Sequence, residues 1–289
     1  MKLLIVGASG MLGHMLFRFF LKKNINTFGL VRNRSPLERI IPKHHHSKII
    51  VADFVDNTAE LEKFFDNYAP DIVINCVGLV KQLEGADTVT DSIRLNSLFP
   101  HQLASICMEY GSKMIHISTD CVFLGNRGGY LESDFADSRD IYGLSKFLGE
   151  TSYEHCLTLR TSIIGTQLAG SSGLMEWLLG AQGEIFGYKK AFFSGLTTLE
   201  VAKFLYLYIT KEIHLNGIYH LAGDVIDKFS LLELINSIYG AGKIILPNED
   251  VVIDRSLNGV RLYKEIGYTP PKWDVMINEL REFNMQEES

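Results

Sequence analysis

Tyr142 and Lys146 stand four residues apart in Tyr142-Gly143-Leu144-Ser145-Lys146, a spacing that puts both side chains on one face of a helix. An ammonium beneath a phenol favours the ionised form. An unperturbed tyrosine titrates near ~10, and it serves better as an acid or base when its pKa is drawn toward the working pH. The expectation is therefore that Lys146 lowers the pKa of Tyr142 and that the pair moves a proton. Alone, the same spacing also fits a half-buried aromatic beside a solvated lysine. Chain order decides for chemistry, because a hydroxyl-rich segment, Ser118-Thr119-Asp120, and a glycine-rich turn, Gly7-Ala8-Ser9-Gly10-Met11-Leu12-Gly13, both lie upstream.

That turn joins a short apolar strand at 2–6 to an apolar-periodic helix at 11–23, and a second strand follows at 27–31. A βαβ unit with glycines at its first turn is the layout of a dinucleotide site. Gly7 allows the sharp exit from the strand, Gly10 lets a phosphate approach the backbone, and Gly13 permits close packing of the helix. Ser9, Met11 and Leu12 complete the turn, where free N–H groups and the helix dipole favour an anion. An acidic residue after the second strand would hold a ribose 2′-hydroxyl; this chain has Arg32 and Arg34 instead. A guanidinium there suits a 2′-phosphate, so NADP(H) is expected ahead of NAD(H). Asp53, followed by Phe54, lies after the third strand and is expected either to meet the adenine amino group or to cap the next helix.

Further strands are expected at 48–52, 71–76, 113–118 and 156–160, and helices at 58–68, 91–110 and from about 141. This alternation implies a doubly wound parallel α/β (Rossmann) sheet covered on both faces. Asn75-Cys76-Val77-Gly78 then ends the fourth strand beside the cofactor cleft, with Asn96 on the following helix as structural support. Ser118-Thr119-Asp120 falls at the carboxyl end of the fifth strand, where open α/β sheets place ligands. A hydroxyl there can hydrogen-bond a substrate carbonyl, with Ser118 and Asp120 expected to orient the substrate or its neighbours; a helix cap or local turn is the plain alternative. After about residue 165 the chain turns glycine- and aromatic-rich, with helices at 199–211 and 230–239 and a strand at 217–221. The expected organisation is a cofactor-binding domain over 1–164 and a smaller, irregular α/β substrate lobe over 165–289, with parts near 195–225 packing back on the first domain.

At 289 residues, 46% hydrophobic and 21% charged, the chain can bury a sizeable core. A net charge of −6 with scattered lysines and arginines argues against nucleic acid. No apolar run is long enough to span a bilayer, and the start lacks the features of a signal peptide, so no membrane partner and a cytoplasmic location are expected. Cys76, Cys107, Cys121 and Cys156 have no metal-ligand spacing and read as reduced thiols. The run His44-His45-His46 reads as a solvated loop on an extended segment, and no metal site is expected.

Taken together, the glycine turn, Ser118-Thr119-Asp120 with Val122-Phe123, Tyr142 to Lys146 with Gly149-Glu150, Leu159-Arg160-Thr161-Ser162, and Gly217-Ile218-Tyr219-His220-Leu221-Ala222-Gly223 resemble the extended short-chain dehydrogenase/reductase superfamily. Within it the chain resembles the dTDP-4-dehydrorhamnose reductase-like family of sugar-nucleotide ketoreductases. The resemblance implies Thr119, Tyr142 and Lys146 as the catalytic trio, Tyr142 and Lys146 also meeting the cofactor, and a C-terminal lobe that binds a nucleotide-sugar. It implies NADPH-dependent reduction of a 4-keto-6-deoxyhexose, dTDP- or UDP-linked, for a surface polysaccharide; a homodimer is compatible with it. Two departures stand out. The family pattern often has an aromatic after Thr-Asp and a tryptophan after Arg-Thr-Ser, where this chain has Cys121 and Ile163, both expected near the sugar. Related dehydratases place a glutamate at the position of Cys121, so reductase ranks above dehydratase; it ranks above epimerase because a tightly kept NAD would fit less well with Arg32. A relative that serves methionine adenosyltransferase as a regulatory subunit keeps the Tyr and Lys, which makes a nucleotide sensor the rival from another class.

Overall fold

Short apolar strands separated by amphipathic helices can pair side by side only through crossovers that lay helices on the sheet faces. The computed structural model of the chain describes residues 1–53, 55, 57–79, 88–168 and 173–286. Its main sheet has seven strands: β1 (Lys2–Val6), β2 (Asn26–Val31), β3 (Ile49–Val51), β4 (Ile72–Asn75), β5 (Lys113–Thr119), β6 (Cys156–Thr161) and the strand Gly217–His220. The order runs from Gly217–His220 through β6, β5, β4, β1 and β2 to β3, and every neighbouring pair is parallel. Strand order reverses between β1 and β4, which opens a crevice beyond their carboxyl ends.

Burial follows from the pleat. Leu3 and Ile5 of β1 join one apolar cluster with Phe17, Phe20 and Phe204, while Leu4 and Val6 join the other with Phe64, Phe65 and Phe99. The helix Thr198–Thr210 lies against the first helix, Met11–Lys22, where the rings of Phe19 and Tyr206 meet edge to face with centroids 6.0 Å apart. Smaller sheets make up the rest: Ala191–Phe193 between Ile226–Asp227 and Ile253–Asp254, Glu184–Tyr188 with Ile244–Asn248, and Ile163–Ile164 with Leu196–Thr197.

Several expectations need correction. The segment 91–110 is not one regular helix. It begins as Thr88–Ser92, widens into a π turn over Ile93–Leu98 and continues as Phe99–Glu109. The three histidines are not extended: they lie in the 3₁₀ turn Lys43–Lys48, where Nε2 of His46 is 2.9 Å from the Ile41 carbonyl oxygen and the rings of His44 and His45 touch. Asp53 does not cap the next helix, since Asn57 occupies that place before Thr58–Tyr68. A final helix, Trp273–Met285, was not anticipated, and it packs with Met276, Ile277 and Leu280 buried. Phe54 lies outside the described residues. Among the described residues no helix is long and apolar enough to cross a membrane, and no group of three or more His, Cys, Asp or Glu side chains is placed to hold a metal.

Candidate active site

The glycine turn sits where β1 meets the first helix. Gly7 has φ +81°, the left-handed region that glycine enters without strain, and a Cβ there would stand 3.0 Å from Val77 Cγ2. The turn is thereby packed against the segment after β4, whose exit is shaped by the Val77 N–H donating to Asn75 Oδ1 at 3.0 Å. A Cβ on Gly13 would fall 2.2 Å from the Gly7 carbonyl oxygen, so only glycine lets the helix approach this closely. Gly10 caps the helix without a side-chain bond, and Ser9, Gly10 and Met11 remain accessible while Leu12 is buried. Backbone N–H groups of the first helical turn are left open toward an anion, a cradle that fits a dinucleotide pyrophosphate.

Arg32 follows β2, exposed and without a partner among the described residues. Arg34 is engaged, its Nε 2.8 Å from Glu38 Oε1 and Nη2 donating to the His46 carbonyl. Asp53 is exposed, and its backbone N–H donates to Glu60. Cys76, Val77 and Gly78 line the exit of β4, and a Cβ on Gly78 would stand 3.3 Å from Asn96 Oδ1 and 3.7 Å from Lys146 Nζ. Asn96, fully buried in the π turn, bonds the Leu79 backbone through both ends of its amide and donates to Ser145 Oγ at 3.1 Å. It fastens the β4 exit to the helix Ile141–Leu148, which carries Tyr142 and Lys146.

That helix starts at Asp140, whose carboxylate accepts from the Gly143 N–H at 2.9 Å. Gly143 allows its close approach to the turn that follows β5: a Cβ there would lie 2.1 Å from Ser138 Oγ and 2.2 Å from the Cys121 carbonyl oxygen. Tyr142 is thereby brought beside Thr119 at the end of β5, whose hydroxyl donates to Asp120 Oδ1 at 3.2 Å and accepts from the Cys121 N–H at 3.1 Å, and the threonine side chain acts to lower the phenol pKa. Lys146 is buried and donates from Nζ to the Ile117 carbonyl at 2.7 Å. Burial lowers its pKa to about 8, with Glu150 acting in the opposite direction.

The expected lowering of the Tyr142 pKa by Lys146 is not what this geometry gives. Although the ring is partly exposed, burial of the phenol raises its pKa above the usual tyrosine value; Cys121 and Asp120 add to the rise and Thr119 opposes it. The physical reason is that the Lys146 ammonium is tied to the Ile117 carbonyl and faces Glu150, while thiol and carboxyl groups are what crowd the phenol. A phenol kept neutral is the form that can donate a proton.

Ser118 does not point at the site. Its hydroxyl donates to Glu150 Oε1 at 2.7 Å, and Glu150 receives Nε and Nη2 of Arg160 at 2.8 Å each. The side chains of Arg160 and Glu150 are 3% and 2% exposed, so this is a buried bidentate pair beneath the carboxyl end of β5. Next to it, Asp120 is buried and raised in pKa by that burial, against the pull of Arg255 and Lys228. Burial pushes the Cys121 thiol up to about 12, and Arg255 Nη1 approaches its sulfur at 3.7 Å. Asp120, Cys121 and Ile163 line a cavity of about 550 Å³ together with Trp177, Lys228 and Arg255. A larger cavity of about 1130 Å³, beside Lys113 and His214, opens at the amino ends of β4 to β6, the end of an open α/β sheet away from ligand chemistry. Glu150–Arg160, Arg255 and Lys228 were not assigned roles from sequence; a weak signal existed only for Glu150 and Arg160, which fall inside motif segments.

The family described as RmlD substrate binding domain matches residues 1–243. A probable low-salt glycan biosynthesis reductase, Agl14 of Haloferax volcanii, is 30% identical over 183 residues, covering 60% of this chain and 58% of that protein. Methionine adenosyltransferase 2 subunit beta of Mus musculus is 25% identical over 150 residues, covering 52% of this chain and 41% of that protein. The chain spans little more than half the length of the first curated relatives it matches, between 51% and 58%. Two solved structures share the fold. A dTDP-4-dehydrorhamnose reductase of Bacillus anthracis in complex with NADP is 19% identical with a TM-score of 0.75, covering 98% of this chain and 99% of that one. The Bordetella bronchiseptica enzyme WbmG in complex with NAD and UDP is 16% identical with a TM-score of 0.77, covering 99% and 94%.

Proposed function

The chain belongs to the RmlD substrate-binding domain family, dTDP-4-dehydrorhamnose reductase-like within the extended short-chain dehydrogenase/reductases, and from that premise we propose that it reduces a 4-keto nucleotide-sugar to the alcohol with NADPH. The observation that carries the reading is that one helix, Ile141–Leu148, sets the neutral Tyr142 phenol beside Thr119 at the carboxyl end of β5 and the buried Lys146 ammonium on the Ile117 carbonyl of the same strand. Gly7 to Gly13, Arg32 and the segment Cys76 to Gly78 would hold the cofactor, which when bound supplies a hydride to the carbonyl carbon. Tyr142 donates its proton to the carbonyl oxygen as charge develops there, and Thr119 donates a hydrogen bond to the same oxygen. Lys146, held on the Ile117 carbonyl, presents its ammonium to the cofactor ribose. Cys121 supplies no base for removing a carbon-bound proton, since its thiol stays protonated at neutral pH, which favours reduction over dehydration. The test is NADPH consumption with a panel of 4-keto nucleotide-sugars: turnover supports the reductase, and tight NADPH binding without turnover would replace it by a sensor of the regulatory-subunit kind.

Cofactor choice rests on Arg32. Arg32→Ala is expected to weaken NADPH binding about tenfold or more, the size of one charge-assisted bond, and to leave NADH nearly unchanged. Arg34→Ala should do less, because its guanidinium is already taken by Glu38 and His46. Fluorescence titration decides it, and equal losses for both cofactors would remove the assignment.

Substrate choice rests on Cys121 and Ile163, small side chains on the cavity wall where the family pattern often has an aromatic and a tryptophan. The space suits a bulkier ring substituent. A UDP-linked 2-acetamido-4-keto-6-deoxyhexose is expected to be reduced with a higher kcat/KM than dTDP-4-dehydrorhamnose. Pocket volume discriminates by only about 1–3 kcal/mol, so the result is a ratio. A clear preference for the dTDP sugar in side-by-side assays would refute this reading of the two positions.

A further inference from the structure

Arg255 is brought to the active site from 134 residues beyond Cys121. It follows the edge strand Ile253–Asp254, and its backbone N–H donates to the Phe192 carbonyl at 3.1 Å. Its Nε donates to the Phe123 carbonyl at 2.9 Å, which fixes the half-buried guanidinium, and Nη1 is 3.7 Å from Cys121 Sγ. A guanidinium has five N–H donors in a rigid plane, and these contacts leave donors for a ligand in the cavity that Arg255 lines. The position along the substrate follows from Cys121. Its backbone N–H donates to Thr119 Oγ1 at 3.1 Å, so Arg255 stands beside the residue next to the hydroxyl proposed to hold the reacting carbonyl. Lys228, exposed at the start of the helix Lys228–Tyr239, also lines the cavity.

We infer that Arg255 is the specificity-determining residue of this site, donating through its guanidinium to an acceptor oxygen on a substituent of the hexose ring near the carbonyl carbon. The inference rests on the nucleotide-sugar reading above. An acetamido carbonyl and a carboxylate both present such an oxygen; a bare hydroxymethyl or methyl group offers a guanidinium far less. The small Cys121 side chain leaves the room that the substituent occupies.

The experiment measures affinities of UDP-glucose, UDP-N-acetylglucosamine and UDP-glucuronic acid for the NADPH-bound full chain, as wild type, Arg255→Met and Arg255→Lys. Wild type is expected to bind the acetamido or the carboxylate sugar at least about tenfold more tightly than UDP-glucose, the worth of one charge-assisted hydrogen bond. Arg255→Met should erase that ratio while keeping UDP-glucose affinity, and Arg255→Lys should restore part of it. Which of the two sugars loses affinity identifies the acceptor. Equal wild-type affinities for all three, or a preference that survives Arg255→Met, would overturn the inference. A second readout does not need the nucleotide: the rate at which iodoacetate modifies Cys121, relative to iodoacetamide, should fall severalfold in Arg255→Met. If wild type binds none of the three sugars nor dTDP-glucose, the nucleotide-sugar reading fails. An unchanged iodoacetate ratio would then show separately that Arg255 recruits no acceptor to Cys121.

Discussion

Tyr142→Phe is expected to lower kcat by about 10²- to 10⁴-fold, the contribution of a placed proton donor, while NADPH affinity stays close to wild type. The ring keeps its packing and only the hydroxyl beside Thr119 is lost. Lys146→Met should also lose rate, and it should weaken NADPH binding because the ammonium next to Gly78 faces the cofactor cleft. The pH profile adds a separate mark. Burial lowers the Lys146 pKa to about 8, and kcat/KM reports groups of the free enzyme. It should therefore fall as the pH rises through that value and Lys146 becomes neutral. Stopped-flow and steady-state NADPH oxidation read both effects, and a Tyr142→Phe enzyme that keeps more than about a tenth of wild-type turnover would rule out the phenol as proton donor.

The second large effect is on stability. Removing one partner of a buried ion pair leaves the other charge without compensation, at a cost of about 3–5 kcal/mol. Glu150→Ala strands the Arg160 guanidinium, which is 3% exposed, and frees Ser118 from its acceptor at the base of the site. Arg160→Met strands Glu150. Replacing both with apolar residues of similar volume should recover most of the loss, since a packed apolar pair avoids the desolvation cost. Urea unfolding monitored by circular dichroism measures all three variants. Single variants that lose less than about 1 kcal/mol would mean that the pair is hydrated or dispensable.

Much of the first half of the chain was legible because its signals are local. The glycine turn, the apolar strands and the period of the helices each depend on neighbours within a few residues, and β1, the helix Thr58–Tyr68 and the entry to the helix of Tyr142 stand where the pattern put them. What was not legible is contact through space. Glu150 meets Arg160 because strand β6 runs beside β5, and Arg255 reaches Cys121 because a small sheet folds back over the cavity. Ser118 was read as facing substrate, yet the strand pleat turns it to Glu150. Helical spacing correctly placed Tyr142 and Lys146 on one helix but could not reveal that the Ile117 carbonyl holds the ammonium and that burial dominates the phenol. The π turn around Asn96 also left no mark in periodicity, because its extra residue is accommodated where Asn96 reaches the β4 exit and Ser145.

In the proposed reaction, hydride passes from NADPH to the carbonyl carbon of a nucleotide-sugar while Tyr142 protonates the oxygen. NADPH carrying deuterium at its transferable position, incubated with a 4-keto nucleotide-sugar and the full chain, tests it in one product analysis. The expected result is a single deuterium on carbon 4 of the product alcohol, with one NADPH oxidised per alcohol formed, and label incorporation slowed about 10²- to 10⁴-fold when Tyr142→Phe replaces the wild type. Deuterium that stays in the cofactor while the sugar is converted, solvent hydrogen entering carbon 5 instead, or NADPH bound tightly with no product from any 4-keto sugar would contradict it.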